Sequence, residues 1–454
     1  MQKNDELVVI IDNLGANGEG VAIIDNMPIF VPFALPNEKV KIKILKALKN
    51  FCYAKLMNII EPSKDRVEPI CPVFSKCGGC QLQHLDYTKQ LEFKRQLVAN
   101  NFKKFANISF NVSDCEPSQN EYGYRNKISL PVGVIKKQVD GQIIIENTLG
   151  LYAINSNRIV PTNNCAITGD WCNKLVCIAL KYLEKSGETP YDTTMQTGNI
   201  RHLVARFIDD SLMLTIVTKT GKIKSPDILI EMLQRQFDKF SLFVNTNKQN
   251  NNVILGEKFE LIYGESTQKL NTFGIDYEIS PQSFLQVNFD IQNKIYKLIL
   301  DNIENNAEVI NAYSGAGLLT AILSQKAKHA YGIEIVNKAH ENANKLAFEN
   351  KITNMTNICA DCAVEMPLLA KKLASDNLTI VLDPPRKGCD ENVLKSILEA
   401  SPKTILYISC NSATLARDVK LLFDSKKYNI DFIKPFDMFP QTRNVETVIK
   451  LTKI

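Results

Sequence analysis

The stretch 308-EVINAYSGAG-317 decides how this chain is read. An apolar run suited to a buried strand ends in Ser314-Gly315-Ala316-Gly317, and LLTAILSQ (318–325) follows with helical character. Glycines at such a junction let the backbone approach a ligand at a helix N-terminus. The alternation then repeats. Strand-like HAYGIEI (329–335), TNICA (356–360), LTIVLD (378–383) and TILYIS (404–409) are interleaved with helix-like KAHENANKLAFEN (338–350) and SATLARDVKLLF (412–423). Strand–helix alternation predicts an α/β, doubly wound parallel sheet. IDFIKPFDMF (430–439) and ETVIKLT (446–452) follow with no helix between them, which predicts a terminal antiparallel hairpin.

Ligands of such sheets bind at the carboxyl ends of the strands. There the sequence offers the glycines 315 and 317, then Glu334, Asp361 and Asp383-Pro384-Pro385-Arg386. A carboxylate after the second strand suits two ribose hydroxyls. A lone glycine pair is weak and also fits a nicotinamide site. The Asp-Pro-Pro turn after the fourth strand shifts the reading to a class I (Rossmann-like) methyltransferase that uses S-adenosylmethionine. Cys410 falls where the fifth strand meets its helix, and a helix N-terminus is expected to lower a thiol's pKa. A thiolate in a methyltransferase points to addition at carbon 6 of uracil, which activates carbon 5. A base must then remove the carbon-5 proton, and Glu446 is the candidate.

Working outward, residues 7–60 hold short alternating runs (LVVIID, GVAIID, PIFVPF, KVKIKIL, FCYAKLMNII) separated by turn signals. These predict a small barrel of oligonucleotide-binding type over 1–60. Lysines 39, 41, 43, 46, 49 and 55 cluster on its second half as a candidate RNA-backbone surface. A central mixed α+β region, 61–280, begins with 71-CPVFSKCGGCQLQH-84 and a charged helix at roughly 87–105 that could pack on the catalytic domain, 281–454. Cys71, Cys77, Cys80 and the more distant Cys165 form a four-thiol set suited to zinc or an iron–sulfur cluster, and spacing does not choose between them. Cysteines 172, 177, 359 and 362 read as buried structural residues.

The chain of 454 residues is 45% apolar, with a net charge of +5 that permits a polyanionic partner without requiring one. No apolar run reaches membrane-spanning length, and the N-terminus lacks a signal peptide, so a cytoplasmic protein with no membrane partner is expected. The sequence does not fix the oligomeric state, and a monomer is assumed. Further RNA contacts are expected around Tyr124-Arg125-Asn126-Lys127 and at Arg201, His202 and Arg206.

CGGCQLQH, SPQSFLQVN (280–288), NAYSGAG, GIE, LDPPRKG, ISCN and DMFPQTRNVE (437–446) occur in one order across residues 71–446. In these motifs the chain resembles the RNA (uracil-5-)-methyltransferases acting on 23S ribosomal RNA and on the tRNA T-loop. The N-terminal barrel resembles the TRAM domain carried by the ribosomal-RNA members. The resemblance implies Cys410 as nucleophile and Glu446 as base, with Gln286, Tyr313, Glu334 and Asp383 holding S-adenosylmethionine. It implies that Phe284 stacks on the target base and that Asp383 also orients it. For Cys71, Cys77, Cys80 and Cys165 it implies a [4Fe–4S] cluster. The expected activity is methylation of a 23S rRNA uridine, with the tRNA T-loop as the alternative. Two positions depart from the pattern: Asn311 stands where many members have Asp, and Ser412 where many have Pro.

Three rivals fit less well. A radical methylthiotransferase spaces its cysteines by three and two residues, against five and two here. RNA cytosine-5 methyltransferases carry a cysteine in the turn that here reads Asp383-Pro384-Pro385-Arg386. A non-catalytic RNA chaperone has no use for Cys410 and Glu446.

Overall fold

The computed structural model describes residues 1–373 and 376–454. The sheet predicted from the C-terminal half is present. Its strands are β1 (Glu308–Ala312), β2 (His329–Glu334), β3 (Met355–Cys359), β4 (Leu378–Leu382), β5 (Thr404–Ser409), β6 (Tyr428–Phe436) and β7 (Glu446–Lys453). Their order is β3-β2-β1-β4-β5-β7-β6, parallel except for β7, which runs antiparallel to both β5 and β6. The order reverses between β1 and β4, which opens a crevice at their carboxyl ends.

Both faces of this sheet are covered, which is why its strands read as near-continuous apolar runs. Successive residues of one strand serve different cores. Ile310, Ala312, Ile380 and Leu382 pack with helices Cys362–Leu373, Glu391–Ala400 and Ser412–Asp424. Val309 and Val381 pack instead with helix Phe289–Asn302 and with Leu319 and Leu323 of Leu318–Ser324. Period-two side-chain alternation produces this division.

The N-terminal segment forms a six-stranded sheet coiled around one core that includes Ile11, Ile29, Val31, Val40, Ile42 and Ile44. The middle of the chain forms a seven-stranded mixed sheet, with helices Asp170–Ser186 and Pro226–Gln234 packed on its apolar face. Helix Tyr87–Asn101 continues as a π-helical turn to Ala106, and its Val98, Phe102 and Ala106 join the core of the catalytic sheet. Among the cysteines expected to be buried, Cys172 and Cys362 are, whereas Cys177 and Cys359 are exposed. Among the described residues no helix is long and apolar enough to cross a membrane.

Candidate active site and cysteine centre

The carboxyl ends of the strands carry the residues singled out in the sequence. After β1, Tyr313, Gly315 and Gly317 all have positive φ (63°, 55° and 85°). At Gly317 the demand is also steric, because a Cβ there would lie 2.6 Å from Ala343 Cβ. The loop is tied to the end of β2: the Gly315 N–H donates to Glu334 Oε2 at 2.9 Å, and the Val336 N–H donates to Glu334 Oε1 at 2.9 Å. Each oxygen of Glu334 keeps a further lone pair for a ribose hydroxyl. Asp361 accepts from the Ala363 N–H at 2.8 Å and so anchors the start of helix Cys362–Leu373. Asn311, where an aspartate was the commoner expectation, donates to Thr320 Oγ1 at 2.8 Å beneath this loop.

Cys410 lies between β5 and helix Ser412–Asp424, half-buried. Its thiol pKa is raised, contrary to the expectation of a helix-lowered value. Burial is the largest cause, followed by the charge of Glu446, with Asp383 adding to it; Arg386 opposes them by charge and by hydrogen bonding to the thiol. A local helix effect is outweighed here by desolvation and two carboxyl neighbours. Glu446, the first residue of β7, is pushed up to about 8 by burial and then by Asp383. Burial alone pushes Asp383 up to about 7. Cys410, Glu446, Asp383 and Arg386 therefore form one electrostatic cluster at the end of the sheet.

The sequence marks Arg386 only as part of the Asp383-Pro384-Pro385-Arg386 motif. The turn that carries it is stitched to the helix behind Cys410. The Arg386 carbonyl accepts from Asn411 Nδ2 at 3.2 Å and Thr414 Oγ1 at 3.3 Å, and Arg417 donates to the Lys387 carbonyl at 2.9 Å. Asp418, 1% exposed, accepts from the Cys389 N–H at 2.9 Å and from the Tyr407 hydroxyl at 2.7 Å. Nothing in a one-dimensional pattern marks Asp418, which reads as an ordinary helix aspartate. Ser412 also has a use: its hydroxyl accepts from Asn101 Nδ2 of helix Tyr87–Asn101 at 2.8 Å.

Phe284 is 82% exposed on the segment between the hairpin 268–279 and helix Phe289–Asn302, beside Gln286, whose carbonyl accepts from Asn126 Nδ2 at 3.0 Å. The exposed ring is accessible to a base turned out of its stack. Several expected RNA contacts are instead used inside the protein. The Tyr124 hydroxyl is buried and donates to the Pro440 carbonyl at 3.0 Å. Arg201 is buried and donates to the carbonyls of Asn247 and Gln249 at 2.8 and 2.6 Å. Arg206 is buried and donates to the Ser283 carbonyl at 2.8 Å, so it supports the Phe284 segment from within. Of the barrel lysines, Lys39 and Lys41 are engaged with Glu61 and Glu6 at 3.1 and 2.8 Å.

Cys71, Cys77, Cys80 and Cys165 line one small enclosed cavity with Phe74, Leu151 and Ile167. Burial and the neighbouring cysteines raise the thiol pKa of Cys71 and Cys77, and push Cys80 up to about 12. Hydrogen bonds already reach the sulfurs: the Gly79 N–H donates to Cys77 Sγ at 3.3 Å. Among the described residues no group of three or more His, Cys, Asp or Glu is placed to hold a metal ion. Cys52 packs in the N-terminal core and Cys115 is buried near Lys94 and Asp437, so neither joins the set.

Residues 229–454 match the family model for tRNA (Uracil-5-)-methyltransferase, and residues 2–57 match the TRAM domain. Relatives named uncharacterized RNA methyltransferases include one from Clostridium acetobutylicum, 37% identical over 100% of this chain and 98% of its own length. Another, from Listeria innocua, is 38% identical over the same shares, 100% and 98%. The solved structure of Pyrococcus abyssi tRNA (uracil-54, C5)-methyltransferase with S-adenosyl-L-homocysteine superposes with a TM-score of 0.77, at 26% identity, covering 98% of this chain and 100% of that one. The chain thus belongs to the RNA (uracil-5-)-methyltransferase family, enzymes that take their methyl group from S-adenosylmethionine, and it carries a TRAM domain at its N-terminal end.

Proposed function

We propose that this enzyme methylates carbon 5 of a uridine in 23S rRNA through a covalent intermediate on Cys410. The observation that carries the mechanism is the convergence of Cys410, Glu446, Asp383 and Arg386 where the carboxyl ends of β4 and β5 meet the amino end of the antiparallel β7. S-adenosylmethionine, when bound, supplies an electrophilic methyl group. Tyr313, Gly315, Gly317, Glu334, Asp361, Gln286 and Asp383 are the residues that would hold it. Glu334 would accept from the ribose hydroxyls, and the positive-φ glycine loop admits close backbone approach.

The Cys410 sulfur adds to carbon 6 of a uracil turned out of its stack, and Phe284 stacks on that base. Arg386 favours the thiolate against the charge of its carboxylate neighbours. The sulfur–carbon bond places an electron pair at carbon 5, which takes the methyl group as its bond to the donor sulfur breaks and leaves S-adenosylhomocysteine. Glu446 then removes the proton from carbon 5. The carbon–hydrogen electrons restore the 5,6 double bond, and the carbon–sulfur pair returns to Cys410. In its ionised form, a carboxyl whose pKa is pushed up to about 8 is a stronger base toward that proton than an exposed glutamate. Asp383, whose pKa burial pushes up to about 7, orients the uracil.

The domain division 1–60, 61–280 and 281–454 is proposed to separate RNA capture, cysteine-centred organisation and chemistry. Cys71, Cys77, Cys80 and Cys165 are proposed to hold a [4Fe–4S] cluster. Support comes from the all-thiol donor set, the shared cavity and the N–H···S hydrogen bond. Its role is structural, since methyl transfer is not a redox reaction. Anaerobically purified protein is expected to contain iron and sulfide in equal amounts; stoichiometric zinc would overturn the cluster. The enzyme is proposed to act as a cytoplasmic monomer.

The substrate is tested by mapping 5-methyluridine in 23S rRNA and tRNA from cells with and without the gene. Loss at one or two ribosomal uridines supports the proposal. Loss confined to the tRNA T-loop keeps the chemistry and replaces the substrate.

A further inference from the structure

The loop that delivers Glu446 is held from outside its own sheet. β6 ends at Phe436 and β7 begins at Glu446, and these two residues face each other across the ladder. The intervening segment 437–445 crosses to helix Tyr87–Asn101 and to the end of the cysteine segment. On that helix Gln90 and Lys94 stand one turn apart, 1% and 0% exposed. Lys94 forms an ion pair with Asp437, itself 0% exposed, and donates to the Phe439 carbonyl at 3.1 Å. Gln90 makes a reciprocal amide pair with Gln441: its Nε2 donates to Gln441 Oε1 at 3.0 Å, and the Gln441 N–H donates to Gln90 Oε1 at 3.1 Å.

The cysteine segment grips the same residue. The N–H groups of Gln81 and Leu82, directly after Cys80, donate to the Gln441 carbonyl at 3.1 and 3.0 Å. Gln81 Oε1 accepts from the Arg443 N–H at 3.4 Å. Gln441 is held at φ 69°, a left-handed conformation that a glutamine adopts only where its surroundings impose it.

A buried ion pair is a poor way to gain stability, because desolvating two charges offsets most of their attraction. What it fixes is direction and register. A pair of apolar side chains would hold the loop as firmly and let it slide.

We propose that Lys94 and Gln90 are positioning residues for proton abstraction. By fixing Asp437 and Gln441 they set the Glu446 carboxyl against carbon 5 of the bound uracil. Gln81 and Leu82 make the cysteine segment part of the same brace. This rests on the reading of Glu446 as the base. The step at stake moves the carbon-5 proton to Glu446, restores the 5,6 double bond and releases the Cys410 sulfur.

The test uses full-length enzyme and an rRNA fragment bearing the mapped uridine, with labelled methyl donor, under single-turnover conditions. Gln90→Met removes the amide pair and keeps the ion pair; Lys94→Met removes the ion pair. Both are expected to form the methylated protein–RNA adduct within ~3-fold of the parent rate and to release it at least ~10-fold more slowly, the size of effect a small misplacement of a reacting group produces. Donor affinity should not change. A purely structural role would slow adduct formation and release together, and that result, or unchanged release in Gln90→Met, overturns the proposal. Gln90→Met, the milder change, decides the matter if Lys94→Met does not fold. Glu446→Gln run in parallel separates the two layers. If it accumulates adduct and Gln90→Met does not, positioning fails; if Glu446→Gln itself accumulates none, the base assignment fails first.

Discussion

Replacing Glu446 with glutamine should make the protein more stable at neutral pH while abolishing its turnover. The carboxyl is buried, and its pKa is pushed up from an ordinary 4.5 to about 8. In the unfolded chain it ionises above the lower value, while in the folded protein it stays neutral until the higher one. Between the two the unfolded state binds fewer protons, so folding stability falls as pH rises through this window. At ~1.4 kcal/mol per pH unit, the cost is about 3 kcal/mol at pH 7 and below about 1 kcal/mol at pH 5. Glutamine has the same shape and no charge to suppress, so it removes the cost. Melting curves of parent and Glu446→Gln should nearly coincide at acid pH and separate by roughly 3–9 °C at neutral pH, with the variant higher. A gap that does not change with pH would refute the reasoning, because it would mean that this carboxyl titrates normally in the folded state.

Cys410→Ala should abolish methyl transfer and leave donor binding intact, as read by calorimetry; residual turnover above a few per cent of parent would exclude the covalent route. Arg386→Met removes the group that lowers the Cys410 thiol pKa against Glu446 and Asp383, so the pH at which adduct formation is half-maximal should move up. An unchanged midpoint would place Arg386 outside the thiol's influence. Lys46, Lys49 and Lys55 form no salt bridge among the described residues, unlike Lys39 and Lys41. Changing those three to glutamine should weaken RNA binding, reduce its salt dependence by up to ~3 phosphate contacts, and leave donor affinity alone. An unaltered salt dependence would assign the RNA surface elsewhere.

The catalytic sheet was legible because its strands are buried on both faces and its loops carry residues with few other uses. Asp383-Pro384-Pro385 and Ser314-Gly315-Ala316-Gly317 each sit at a strand end, where position alone suggests a ligand. What the sequence could not show was competition between effects at one atom. The thiol of Cys410 sits at a helix start and beside two carboxyls, and only the fold reveals that burial and charge outweigh the helix. Arg201 and Arg206 looked like surface cations, yet backbone carbonyls from the 247–249 and 283 loops come round to accept hydrogen bonds from them. Lys94 was equally opaque. A lysine on a charged helix reads as solvated until its partner, Asp437, arrives from the far end of the chain.

The covalent route stands or falls on one atom. RNA containing 5-fluorouridine cannot release a proton from carbon 5, so a catalyst using this chemistry is caught as a stable adduct. With S-adenosylmethionine present, peptide mass mapping of that adduct should find the methylated fluorouridine on the peptide containing Cys410. No adduct, or one on another cysteine such as Cys389, would contradict the mechanism.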